Sequence, residues 1–107
     1  MISINNPKKW VAIYTKPRHE KLVKEQLLKK GYDVYLPLLT EKRRWSDRKK
    51  MVEFPLFKSY LFVHSQLNES IFIVKTPGVV KLVKFGNKIA VVNNNVINSI
   101  KLMLEGG

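Results

Sequence analysis

Cysteine is absent from this chain of 107 residues, histidine occurs twice, and acidic residues number 8 against 20 lysines and arginines. Without cysteine there is no disulfide framework, thiolate zinc site or redox dithiol, which suits a reducing cytoplasm. His19 and His64 are the only histidines and no acidic cluster has ligand spacing, so no metal is expected. Nucleophile elbows, glycine-rich phosphate loops and closely spaced carboxylate pairs are missing too. Asp47 and Glu53 sit among cations, where ion pairing accounts for them. The expectation is a protein that is not an enzyme and carries no cofactor. Long apolar runs are also lacking: stretches such as Ile71 to Val74 fall far short of the roughly 20 residues a membrane span requires. Residues 1–9 are polar with Pro7, so neither a signal peptide nor a membrane partner is expected, and the cytoplasm is the expected location.

What is present is positive charge and apolar surface. The formal charge is +12, and 45% of residues are hydrophobic, with five Phe, four Tyr and two Trp. One core is all this length can enclose, which excludes a multidomain enzyme, and the aromatic and branched content excludes a disordered basic tail. An excess of this size draws in polyanions: nucleic acid, an anionic membrane surface or an acidic protein. The charge is lopsided. Residues 1–58 hold 15 cations and 6 anions, net +9, whereas the remainder holds 5 and 2, net +3. Most of the excess lies at Lys16, Arg18, Lys21 and Lys24, and in the run from Lys42 to Lys50.

Patterning predicts a strand over Trp10 to Thr15, stopped at Lys16-Pro17. A helix follows from Arg18 to Lys30, with Leu22, Val23 and Leu27 on its apolar face beside His19 and Gln26, and Gly31 as its stop. Tyr32 to Leu36 reads as a second strand, and Leu38 to Phe54 as a long exposed hairpin around the tip Trp45-Ser46-Asp47-Arg48. Leu56 to His64 is the most strand-like segment. Asn68-Glu69-Ser70 offers a cap for a short helix through Val74. Val79 to Phe85 and Lys88 to Val92 read as strands around the Gly86-Asn87 turn. Asn93 to Asn95 cap an amphipathic helix with Val96, Ile97, Ile100, Met103 and Leu104 on one face. The fold class is α+β: a mostly antiparallel sheet sandwiched by about three helices, with a protruding basic hairpin, residues 1–9 forming a tail and 10–107 one domain.

Strand alternation puts Tyr60, Phe62 and His64 on one side and Leu61 and Val63 on the other, and divides Trp10, Ala12 and Tyr14 from Val11 and Ile13 in the same way. Both faces are apolar. Helices on both faces would explain this; an uncovered aromatic patch around Tyr14, Tyr60, Phe62 and Phe85 would instead be a docking surface. On the hairpin, Arg43, Arg44 and Arg48 can neutralise phosphates while Trp45 stacks on an unpaired base, a combination that suits single-stranded nucleic acid; a solvated charge run is the plain alternative. Lys16, Arg18 and His19, at a strand-to-helix junction, extend the basic footprint and suggest a groove. There His19 reads as a phosphate partner or a packed side chain rather than a general base.

In order along the chain, Trp10-Val-Ala-Ile-Tyr-Thr-Lys-Pro-Arg-His-Glu-Lys, Tyr35-Leu-Pro, Arg44-Trp-Ser-Asp-Arg-Lys, Pro55-Leu-Phe-Lys-Ser-Tyr-Leu-Phe-Val and Thr76-Pro-Gly-Val-Val with Lys84-Phe-Gly resemble the NusG N-terminal (NGN) domain. The resemblance spans about Trp10 to Leu104. The Thr-Lys-Pro-Arg-His-Glu and Arg-Trp-Ser-Asp-Arg wording is more similar to specialised paralogues, the UpxY-type antiterminators and their RfaH-like and LoaP-like relatives, than to the housekeeping factor. The resemblance implies an elongation factor that rides on bacterial RNA polymerase and suppresses pausing and termination, for a polysaccharide-type operon. By it, Tyr14, Tyr60, Phe62 and Phe85 dock on the β′ clamp helices, and the region Glu69 to Phe72 meets the β gate loop. The non-template DNA strand passes Lys16, Arg18, His19, Arg43, Arg44, Trp45 and Arg48. Val11 stands where the family has an aromatic, and Lys58 where it has proline. The family's C-terminal KOW domain, which contacts the ribosome, is expected to be absent from this chain.

Two rivals use the same residues differently. An RNA-recognition motif would stack bases on Tyr60 and Phe62, but Ser59 and Leu61 depart from its aromatic strand and the extra hairpin is foreign to it. A ribosome-associated basic domain would bind double-stranded RNA broadly.

Overall fold

The computed structural model describes residues 7–45 and 48–105. The hairpin tip residues Ser46 and Asp47 lie outside the described residues. The elements follow as β1 (Lys9–Thr15), α1 (Glu20–Lys29), β2 (Asp33–Tyr35), β3 (Leu38–Trp45), β4 (Arg48–Pro55), β5 (Tyr60–Ser65), a 3-10 turn at Leu67–Glu69, α2 (Ser70–Val74), β6 (Val79–Leu82), β7 (Lys84–Phe85), β8 (Lys88–Ile89), β9 (Val91–Val92) and α3 (Asn94–Glu105).

The main sheet is antiparallel in the order β2-β5-β1-β6, and β9 pairs with β1 beside β6. β1 is central because its alternation is apolar on both sides, so either face can be covered. One face carries Val11, Ile13, Leu61, Val63 and Leu82, packed against Val23 and Leu27 of α1, Ile73 of α2 and Leu36. Each such side chain contributes about 1.5–3 kcal/mol on burial. The opposite face carries Trp10, Ala12 and Tyr14 in register with His64, Phe62 and Tyr60. α3 covers only one end of it: Lys101 Nζ lies 6.0 Å from the Trp10 ring centroid and 5.0 Å from that of Tyr35. Ile97, one turn earlier on the same stripe, is buried.

Several boundaries differ from the sequence pattern. α1 starts at Glu20 rather than Arg18, because Arg18 adopts φ 65°, a left-handed conformation that cannot enter a helix. Leu22 is half exposed rather than packed; Glu20 takes the buried place beside Val23 and Leu27. The strand predicted from Leu56 begins only at Tyr60, since Ser59 sits at φ 66° and breaks it. Val79 to Phe85 divides at Val83, whose N–H donates to the Ala12 carbonyl at 2.9 Å, and the return divides at Ala90, so that β9 leaves the small hairpin and rejoins β1. Asn93 caps α3 through its side-chain oxygen, which accepts the Asn95 N–H at 2.7 Å, but Val96 and Met103 are exposed, with Met103 off the packed stripe.

The β3–β4 hairpin forms its own two-stranded ladder from Leu38↔Pro55 to Trp45↔Arg48, separate from the main sheet, in a molecule measuring 62 × 29 × 28 Å.

Candidate functional site

Beyond the part covered by α3, the second sheet face is open. A hollow of about 330 Å³ is lined by Ala12, Phe57, Tyr60, Phe62 and Val83. Tyr14 and Tyr60, directly opposed across β1 and β5, meet with centroids 5.1 Å apart and ring planes tilted by 51°, and Phe57 meets Phe62 edge to face at 6.1 Å. Tyr60 is 38% exposed, Phe62 9% and Phe85 77%. Phe62 thus forms the floor, Tyr60 the wall, and Phe85 stands in solvent on the β7–β8 turn. Alternation singled out Tyr14, Tyr60, Phe62 and Phe85. It missed Phe57, while Val83, which alternation puts on the side of Phe85, was left out of the aromatic patch; both lie outside the regular strands, in the turn before β5 and the break after β6. Val11 lies at the core face, so its departure from the family's aromatic does not touch this hollow.

The turn before β5 is held by a buried carboxylate. Glu20 Oε2 accepts the Ser59 N–H at 2.8 Å, and the Ser59 carbonyl accepts the Thr15 N–H at 2.8 Å. This clamps two left-handed residues, Arg18 and Ser59, side by side. Around them lies a second hollow of about 490 Å³ lined by Pro17, Arg18, Glu20, Lys21, Pro55, Lys58 and Ser59. Three of these side chains are cations. Lys16 is exposed and its N–H donates to the Gly78 carbonyl, and His19, half-buried, has its Nδ1 2.9 Å from the Pro17 carbonyl.

The two basic elements are not brought together as one groove. What adjoins Arg18 is the base of the hairpin, Pro55 and Lys58. Arg43 and Arg44 lie five and six residue steps up the ladder, about 17–20 Å away along the strands. Both are exposed; Arg43 pairs with Glu41 at 3.5 Å and covers the Phe54 ring at 5.5 Å. Trp45 and Arg48 form the terminal backbone pair of the ladder. Near the short helix, Glu69 accepts the Tyr32 hydroxyl at 3.1 Å, and burial followed by that bond pushes the Tyr32 pKa above its ordinary 10.0. Ile71 and Phe72 are exposed beside it. Among the described residues no group of His, Asp or Glu could hold a metal, and no helix is long and apolar enough to cross a membrane.

Residues 8–101 match the family described as transcription termination factor NusG. The chain belongs to the NusG family. A solved structure of Thermotoga maritima NusG, concerned with domain interaction in that protein, is similar with a TM-score of 0.68 and 25% identity, covering 92% of this chain. The chain spans 58% of that protein's length. No curated protein sequence gives a match. The likeness fits the α+β architecture of a NusG N-terminal domain, and membership supports a transcription-factor domain rather than an enzyme.

Proposed function

We propose that this NusG-type domain binds bacterial RNA polymerase through the aromatic hollow, docking on the β′ clamp helices, and holds the non-template DNA strand against its basic junction so as to suppress pausing and termination. The observation that carries the reading is the open hollow itself. A sheet face that leaves Tyr60 38% exposed over a hollow lined by Phe57 and Phe62, with Phe85 77% exposed on the separate β7–β8 turn, is costly to leave in water and has the rigid aromatic character of a docking surface. Lys16, Arg18 and His19 line the path of the DNA strand, and the exposed Ile71 and Phe72 supply the gate-loop contact. Sequence wording at Thr15 to Glu20 and Arg44 to Arg48 favours a specialised UpxY-type antiterminator over the housekeeping factor. A KOW domain outside this chain would then carry the ribosome contact, and the protein would work in the cytoplasm.

The test is an elongation assay with the cognate polymerase, scoring pause lifetimes. The wild-type domain is expected to shorten pauses, and Tyr60→Ala and Phe85→Ala to abolish the effect while circular dichroism stays native. An unaltered pause lifetime with the wild-type domain would refute the proposal. If Tyr60→Ala instead leaves polymerase binding intact and removes RNA binding, the RNA-recognition reading takes its place.

A further inference from the structure

The hairpin ladder sorts its cations by face. Successive rungs of an antiparallel ladder point to opposite sides, so Arg44↔Lys49 and Lys42↔Met51 share one face while Arg43↔Lys50 and Glu41↔Val52 share the other. Two consecutive rungs are therefore like-charge pairs, one on each face, and all four side chains are exposed. Directly opposed like charges disfavour a ribbon in isolation. Among the described residues the only ion pair on the ribbon is Arg43 with Glu41, on one face. Both faces thus present positive charge outward, and a single phosphate backbone can lie along one of them only.

We propose that the β3–β4 ribbon enters the major groove of B-form duplex DNA edge-on, with Lys42, Arg44 and Lys49 on one face meeting one phosphate wall and Arg43 and Lys50 on the other face meeting the opposite wall. The dimensions fit. The B-DNA major groove, about 12 Å wide, admits a two-stranded ribbon, whereas the deep and narrow major groove of A-form RNA does not. The ladder runs seven residue steps, about 24 Å, from a base at Leu38↔Pro55 where Leu38 packs on the core, and the like-charge rungs Arg43↔Lys50 and Arg44↔Lys49 lie five and six steps out. The charged rungs stand far enough from Arg18 to reach a duplex segment while the junction holds a single strand. The inference deepens the nucleic-acid part of the function proposed above and rests on that reading for the choice of DNA.

Fluorescence anisotropy with the 107-residue chain tests it, using a short labelled DNA duplex, one of its strands alone, and an RNA duplex of the same length, each over a range of salt. The DNA duplex is expected to bind several-fold more tightly than either alternative. Arg44→Ala with Lys49→Ala, and separately Arg43→Ala with Lys50→Ala, should each weaken duplex binding about tenfold and flatten the log–log salt slope by about 1.8, two phosphate contacts at about 0.9 each. Either double variant leaving duplex affinity and slope unchanged overturns the two-walled grip, as does equal or tighter binding of the RNA duplex or the single strand. Lys16→Ala with Arg18→Ala separates the two readings. If it leaves single-strand affinity untouched, the strand-holding role of the junction falls while the duplex result stands on its own.

Discussion

Replacing Glu20 with alanine tests the junction on which both hollows depend. Glu20 is 6% exposed and its carboxylate accepts the Ser59 N–H at 2.8 Å, holding a serine at φ 66° one residue before Tyr60. A hydrogen bond to a charged acceptor contributes about 1.5–3 kcal/mol, and the one lost methylene adds about 0.8 kcal/mol where buried. Water entering from the adjoining hollow offsets part of this by solvating the freed N–H. We expect Glu20→Ala to cost about 2–4 kcal/mol, and Glu20→Gln about 0.5–1.5 kcal/mol, because the amide oxygen can still accept while the favourable charge in the first turn of α1 is lost. For a domain of this size each kcal/mol lowers Tm by about 4–8 °C, so the alanine variant should melt at least 8 °C or so below wild type. Urea and thermal unfolding followed by circular dichroism measure both. A loss below about 0.5 kcal/mol for Glu20→Ala would show that the turn is held by packing alone and refute the reasoning.

Other substitutions probe separate parts of the fold. Gly78→Ala should destabilise by about 2 kcal/mol or more, since φ is +94° and a Cβ there would stand 2.8 Å from Val23 Cγ2; Gly86→Ala, at φ +61° with open space around it, should cost only about 1 kcal/mol, both read from denaturant midpoints. Phe85→Ala should change stability by no more than about 0.5 kcal/mol, because the ring is 77% exposed, yet weaken polymerase binding in a pull-down or titration. Burial first, then the bond to Glu69, raises the Tyr32 pKa, and burial first, then the charge of Glu105, raises that of Tyr35. The folded state therefore holds these protons more tightly than the unfolded chain. Their contribution is complete below pH 10 or so and is lost as pH rises through the folded-state values. Ultraviolet titration should find both phenols ionising above 10, with Glu69→Gln bringing Tyr32 down.

Periodicity made the strands, the three helices and the hairpin legible, because half-buried elements must alternate or repeat at their own period. Boundaries failed where backbone conformation overrode side-chain pattern. Arg18 and Ser59 are left-handed without being glycine, and nothing in their side chains announces it. Likewise Leu22 satisfies a helical stripe yet faces solvent, because Glu20 is drawn inward by an N–H contributed 39 residues later. The aromatic hollow was half visible: Tyr60 and Phe62, with Tyr14 against Tyr60, follow from alternation, while Phe57 and Val83 arrive from irregular backbone.

The excess of positive charge, the absence of thiol chemistry and the existence of an apolar surface on both sides of β1 were determined by composition and alternation alone, since charge count and strand period are properties of the chain itself. Which part of that surface stays open was decided only in three dimensions. α3 covers the Trp10 and Tyr35 end and stops short of Tyr60, and no local pattern encodes where a helix comes to rest on a sheet. Tertiary structure also divided the positive charge. Sequence places Arg18 and Arg43 in one basic half, but a two-stranded ladder is stiff and extended, so the register holds the hairpin's cations away from the junction and splits them between two faces.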